Sequence, residues 1–151
     1  MIKIICVGKI KESFYKDAIE EYQKRLSKYT KLEIIECKDY DIDNINSIKK
    51  LEGTEILKRV SDKDYVITLE IEGNSLDSKS FSQLIDNTLA INSNITFIVG
   101  GSYGLDDNVK KRSNYKMSFS KMTFPHQLFR VILLEQLYRA YKIINNESYH
   151  K

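Results

Sequence analysis

Residues 97–107 read FIVGGSYGLDD. Phe97, Ile98 and Val99 form a short apolar run of strand-forming residues that breaks at once into Gly100, Gly101, Ser102, Tyr103 and Gly104. A strand running straight into a glycine loop has three physical readings. Gly100 to Gly104 satisfies G-x-S-x-G, the elbow that exposes a reactive serine on a sharp turn between strand and helix. The same glycines suit close approach of backbone to a ligand at a strand's carboxyl end, or a plain turn.

Outward from this stretch, further strand-like runs lie at 2–7, 32–37, 65–71 and 116–119, with 95–99 containing the opening residues. Between them fall segments of helical spacing: 14–26, 45–60, 81–91, 105–112 and 126–144. Strands and helices alternate, and several strands are almost continuously apolar, as strands covered on both faces are. This predicts an α/β fold, a parallel sheet flanked by helices, in a single domain over 1–151 with one core. Asp77 with Ser78 or Ser80 can cap the third helix, and Gly73-Asn74 reads as a turn after the third strand. Gly104 closes the loop before the fourth helix, and Pro125 suits the first turn of the last. In that last helix Leu128, Val131, Ile132, Leu134, Leu137, Tyr138, Tyr141 and Ile144 cover more than one face. Such a helix needs two surfaces, its own sheet and a second subunit.

Hydrophobic residues make up 42% of the chain and charged residues 30%, the balance of a soluble globular protein. No apolar run approaches the roughly 20 residues of a membrane helix, and the N-terminus returns to charge at Lys9 and Lys11 without a cleavage site. The expectation is a cytoplasmic protein with no membrane partner. Cys6 and Cys37 sit in apolar runs with no C-x-x-C pair, which reads as buried free thiols in a reducing compartment. His126 and His150 have no partner at metal-ligand spacing, so no metal is expected. The net charge of +3 hides an asymmetry: residues 1–109 carry 15 Lys and Arg against 19 Asp and Glu, residues 110–151 carry 9 against 2. A phosphate-bearing partner would use such a basic end, although a solvated basic face gives the same count.

The nucleotide fingerprints fail in detail. The first strand is followed only by Gly8 and Lys9, not G-x-G-x-x-G, and no glycine loop ends in G-K-[ST]. Serine hydrolysis would have to draw its acid from Asp106 or Asp107, on the helix beside Ser102, with His126 as base. The stretch 118–130, SFSKMTFPHQLFR, alternates Ser118, Ser120 and Thr123 with Phe119, Met122 and Phe124 before Pro125 and His126. Apolar walls with a few hydroxyls suit a small ligand carrying an aromatic base, or a loop packing its own hydrophobes. His126 is a candidate general base or a polar residue at an entry turn, and Arg130 a phosphate anchor or a solvated helix residue. The tail NNESYHK sets Tyr149 and His150 beside Lys151, where they reach an RNA base or fray.

Taken together, FIVGGSYGL, SFSKMTFPHQLFRVILLEQLYRAYKI and the terminal SYHK resemble the bacterial ribosomal RNA large subunit methyltransferase H family, of the SPOUT class. The resemblance is dense over 65–151 and looser toward the N-terminus, where VGK fits. It implies a parallel sheet with a C-terminal trefoil knot, an exception to the rule against threaded chains. It further implies a homodimer that moves a methyl group from S-adenosylmethionine to N3 of pseudouridine 1915 in the 23S rRNA of assembled ribosomes. By position, the methyl-donor pocket comprises Leu69, Gly100, Gly101, Phe119, Ser120, Lys121, Met122, Thr123 and Phe124. The missing side chains of the two glycines would let backbone close on the donor. His126 or His150 would take the N3 proton, Tyr149 would orient the base, and Arg130, Arg139 and Lys151 would hold RNA. Two other readings stay open: a non-catalytic ribosome-binding factor, and a serine hydrolase using Ser102.

Overall fold

The computed structural model describes residues 1–150. Five strands, β1 (Ile2–Val7), β2 (Leu32–Cys37), β3 (Tyr65–Ser75), β4 (Ile95–Val99) and β5 (Tyr115–Ser118), form one all-parallel sheet in the order β2-β1-β4-β3-β5. The helices are α1 (Ser13–Leu26), α2 (Ile45–Leu57), α3 (Ser78–Leu89), α4 (Asp107–Arg112) and α5 (His126–Ile144).

The period of the central strands explains the layering. Every residue of β1 and β4 is buried, and their side chains divide by parity between the two faces. Ile2, Ile4 and Cys6 join Ile95, Phe97 and Val99 in a core filled by Ile19 and Leu26 of α1, Phe81 and Ile85 of α3, and Leu133, Leu134 and Leu137 of α5. Ile5 and Val7 face the other way with Ile98, against Ile56 of α2 and Val109 of α4. Two-sided burial is why these strands read as unbroken apolar runs. The one charge in β1, Lys3, is neutralised in place: its Nζ donates to Asp64 Oδ2 at 3.1 Å and to the Arg59 carbonyl at 2.8 Å.

The helix ends follow local chemistry. Asp77 caps α3 by accepting from the Ser80 amide at 2.7 Å, and Asn44 caps α2 through the Ser47 amide. Asp106 caps α4, so that helix begins at Asp107, and Leu105 is buried in the approach to it. Pro125 stands one residue before α5 as its N-cap rather than in its first turn. Cys6 and Cys37 are free and buried, and burial pushes the Cys6 thiol up to about 12.

Gly73-Asn74 is not a turn after the third strand. It lies inside β3, which runs to Ser75 across an irregularity: Leu69 and Asn74 both pair with Met117 of β5, and residues 70–73 bulge out between them. Gly73 makes the crossing possible, because a methyl group there would stand 2.8 Å from backbone atoms of Lys116 and Met117.

Candidate active site

A cavity of about 500 Å³ opens at the carboxyl ends of β3, β4 and β5, within the size range of small-molecule sites. One wall is the β3 bulge, Leu69, Glu70, Ile71 and Glu72; the floor is Val99, Gly100, Gly101, Ser102, Gly104 and Leu105. The other wall is Met117 to Ser120 with Met122, Thr123 and Phe124, closed by His126 and Phe129 of α5, and Lys110 lies at the α4 side. Aromatic rings brace this wall from behind: Phe119 meets Phe129 edge-on at 5.1 Å and Phe81 at 6.3 Å, which ties the loop to the core. The loop 119–125 is also held by its hydroxyls. Ser118 Oγ donates to the Ser120 carbonyl at 3.2 Å, and Ser120 Oγ accepts from the Met122 amide at 2.9 Å.

The glycine loop is packed from behind. A methyl group on Gly100 would stand 2.9 Å from Leu105 Cδ2, and one on Gly101 2.9 Å from Glu52 Oε1 and 3.2 Å from Val7 Cγ1. The positions those side chains would take are thus filled by the protein itself, and a larger residue would displace the cavity floor. The protein's own packing is therefore one physical reason for glycine at both positions. Gly104, at φ +85°, turns the loop back so that its amide donates to the Gly101 carbonyl at 3.1 Å.

Of the residues singled out from sequence, Leu69, Gly100, Gly101, Phe119, Ser120, Met122, Thr123, Phe124 and His126 line this one cavity. Lys121 is exposed and does not line it. Arg130 is neither a phosphate anchor nor a solvated residue: it is 4% exposed, and its guanidinium donates to Glu36 Oε2 and to the Val7 and Gly8 carbonyls, each at 2.8 Å. Its Nη1 and Nη2 donors join α5 to the ends of β1 and β2. Gln127 adds to that junction, since its Oε1 accepts from the Lys11 amide at 3.1 Å.

Tyr149 and His150 do not line the cavity. The tail folds back along α5, where Tyr149 Oη donates to Glu135 Oε1 at 3.2 Å and its ring packs edge-on against Tyr138 at 5.0 Å. The Arg139 guanidinium lies 4.7 Å from the Tyr149 ring centre, pairs with Glu135 at 2.6 Å and reaches His150 Nδ1 at 3.1 Å. Arg139, Tyr149 and His150 therefore form a second cluster, and Lys151 lies outside the described residues. Burial, then the Glu135 charge, pushes the Tyr149 phenol above its ordinary value.

His126 is half-buried at the start of α5, and burial, followed by the Arg130 charge, holds its imidazole below the ordinary value of 6.5. That environment favours the neutral ring, which can accept a proton. Among the described residues no hydrogen bond joins Ser102 to His126 and none joins His126 to a carboxylate, so the Ser-His-acid arrangement of a serine hydrolase is not assembled. The sequence reading missed Glu70, Ile71, Glu72, Lys110 and Phe129 as lining residues. Gly73 was the signal for Glu70, Ile71 and Glu72, a glycine marking a bulge where a turn was expected. Among the described residues no helix is long and apolar enough to cross a membrane, and no group of three or more metal-ligating side chains occurs.

A family model described as "Predicted SPOUT methyltransferase" matches residues 1–150. The chain is similar to a ribosomal RNA large subunit methyltransferase H of Clostridium botulinum (strain 657 / Type Ba4), 57% identical over 157 aligned positions that cover 99% of each chain. It is 54% identical, with the same coverage, to a ribosomal RNA large subunit methyltransferase H 1 of Clostridium perfringens (strain SM101 / Type A). Among solved structures it is similar to a probable methylase family protein from Haemophilus influenzae Rd KW20, with a TM-score of 0.58 and 13% identity over 99% of this chain and 70% of that one. At that identity the likeness concerns the fold alone.

Proposed function

The chain belongs to the SPOUT methyltransferase family, and from that premise we propose that it transfers a methyl group from S-adenosylmethionine to N3 of a pseudouridine in 23S rRNA of the assembled ribosome. The observation that carries this reading is the cavity at the strand ends, with aromatic and aliphatic walls, a backbone floor and a neutral imidazole at its edge. Those residues fit the donor: the apolar walls suit an adenine, the backbone groups of Gly100, Gly101 and Ser120 suit its polar edge, and the volume is sufficient. When bound, S-adenosylmethionine supplies a methyl carbon on a positively charged sulfur, open to in-line displacement.

The protein's own contribution is to position and to move a proton. Leu69, Phe119 and Phe124 exclude water from the donor site, and the braced loop 119–125 keeps that wall rigid, so that little motion is lost on binding. His126 accepts the N3 proton at its imidazole nitrogen. With Arg130 buried, phosphate contacts fall to exposed Lys111, Lys116 and Lys121. Tyr149 and His150, clustered with Arg139 on α5, act from a homodimer partner's tail, and the half-buried outer residues Leu128 and Ile132 of α5 cover that partner. We read residues 119–125, which leave the edge strand β5 and return over the carboxyl ends to α5, as the tucked segment of a trefoil knot. The setting is cytoplasmic.

The test is purified protein with labelled S-adenosylmethionine and ribosomes lacking the modification. Label at N3 of the pseudouridine is expected, and ribosomal RNA without label would refute the proposal. A ribosome-binding factor without catalysis would bind ribosomes yet show no calorimetric heat with the donor.

A further inference from the structure

Three charged side chains line the cavity: Glu70, Glu72 and Lys110. They are not equivalent. Glu72 is exposed on the outer part of the bulge, where solvent and salt screen it. Glu70 is half-buried at the base of the bulge, and its Oε2 accepts from Thr68 Oγ1 at 2.7 Å. Thr68 is fully buried, so the hydroxyl that it donates to the carboxylate is held in place by the core packing of β3. The carboxylate is thus oriented by one fixed donor. No lysine or arginine forms an ion pair with it among the described residues. A held carboxylate with no ion-pair partner, on a cavity wall it shares with Leu69, Phe119 and Phe124, is matched by a cationic ligand, and Lys110 stands at the α4 side of the same cavity without pairing to it.

Methyl transfer forms an N–C bond and breaks an S–C bond whose electron pair stays on sulfur, so the bound species passes from sulfonium to neutral thioether. The N3 proton leaves separately. We propose that Glu70 is the specificity residue that recognises the positive charge of the donor, so that the cavity holds S-adenosylmethionine in preference to S-adenosylhomocysteine. This rests on reading the cavity as the methyl-donor site. The arrangement has a kinetic use: attraction to Glu70 disappears with the charge, which favours release of the spent product.

Calorimetry on the full-length protein with each compound in turn tests the assignment without needing turnover. Glu70→Gln, nearly isosteric at a partly exposed position, is expected to weaken S-adenosylmethionine binding about fivefold while S-adenosylhomocysteine stays within about twofold of wild type. The wild-type preference should also shrink as salt is raised. Thr68→Val keeps the carboxylate but removes the hydroxyl that orients it, and should move the ratio the same way by less. Equal loss for both compounds, or no loss for either, overturns the assignment and leaves the donor site standing. A wild-type protein that binds neither compound overturns the donor site and the Glu70 assignment with it.

Discussion

Replacing Arg130 by methionine separates a structural arginine from an RNA-binding one. Methionine keeps most of the stem's packing and removes the guanidinium, so the Val7 and Gly8 carbonyls each lose a charged donor at 2.8 Å and Glu36 loses its ion-pair partner. Hydrogen bonds to charged groups are worth about 1.5–3 kcal/mol each. Breaking a buried pair from one side typically costs about 3–5 kcal/mol. Here the Glu36 side chain is 34% exposed and keeps the Ile10 amide at 2.8 Å, which relieves part of its loss and puts the expected destabilisation near the lower end, about 3 kcal/mol. For a chain of this size that lowers the melting temperature by roughly 6–12 °C. Urea denaturation followed by circular dichroism, with both proteins at one concentration, measures the change. A loss below about 1 kcal/mol, coupled to weaker ribosome binding and a shallower salt dependence, would refute the reasoning and return Arg130 to the phosphate-binding surface.

Gly73→Ala should cost about 1–3 kcal/mol, because the added methyl meets backbone that cannot swing aside, and should weaken donor binding, since Leu69 and Glu70 border the bulge; a wild-type melt with wild-type calorimetry would contradict it. Removing the α3 cap with Asp77→Ala should cost about 1 kcal/mol in thermal unfolding, and no change would show the Ser80 contact to be idle. The depressed His126 pKa means that the unfolded chain binds more protons between the folded value and 6.5, so this residue makes stability rise with pH across that window and fall on acidification. His126→Asn should flatten that part of the pH-stability curve. Methyl transfer by the wild type should show an acid limb centred below 6.5 that is absent from the residual activity of the variant, and an unchanged limb would remove His126 from proton transfer.

The elements were legible because burial leaves a periodic record. The bounds of α5 agree with the spacing of its apolar residues, and the unbroken runs of β1 and β4 correspond to central strands covered on both faces. The glycine loop after β4 was legible as one edge of a site. Its surroundings were not, since the atoms that a methyl group on Gly101 would meet, Glu52 Oε1 and Val7 Cγ1, come from α2 and β1, distant parts of the chain. Charge was the least legible property: Arg130 counts toward the basic C-terminal third, yet it is spent inside the fold.

By itself, then, the sequence determined the alternation of strands and helices, that the sheet is parallel with two covered faces, and that the glycine loop lies at a strand end, where the cavity opens. Those properties depend on the spacing of neighbours along the chain. Only the tertiary structure decided that Leu69 and Asn74 share Met117, so that residues 70–73 bulge over the cavity. It also decided that Arg130 reaches back 123 residues to the Val7 carbonyl and that the tail lies on α5 instead of in the cavity. Each of these depends on register and distance between elements far apart in sequence, which no local pattern encodes.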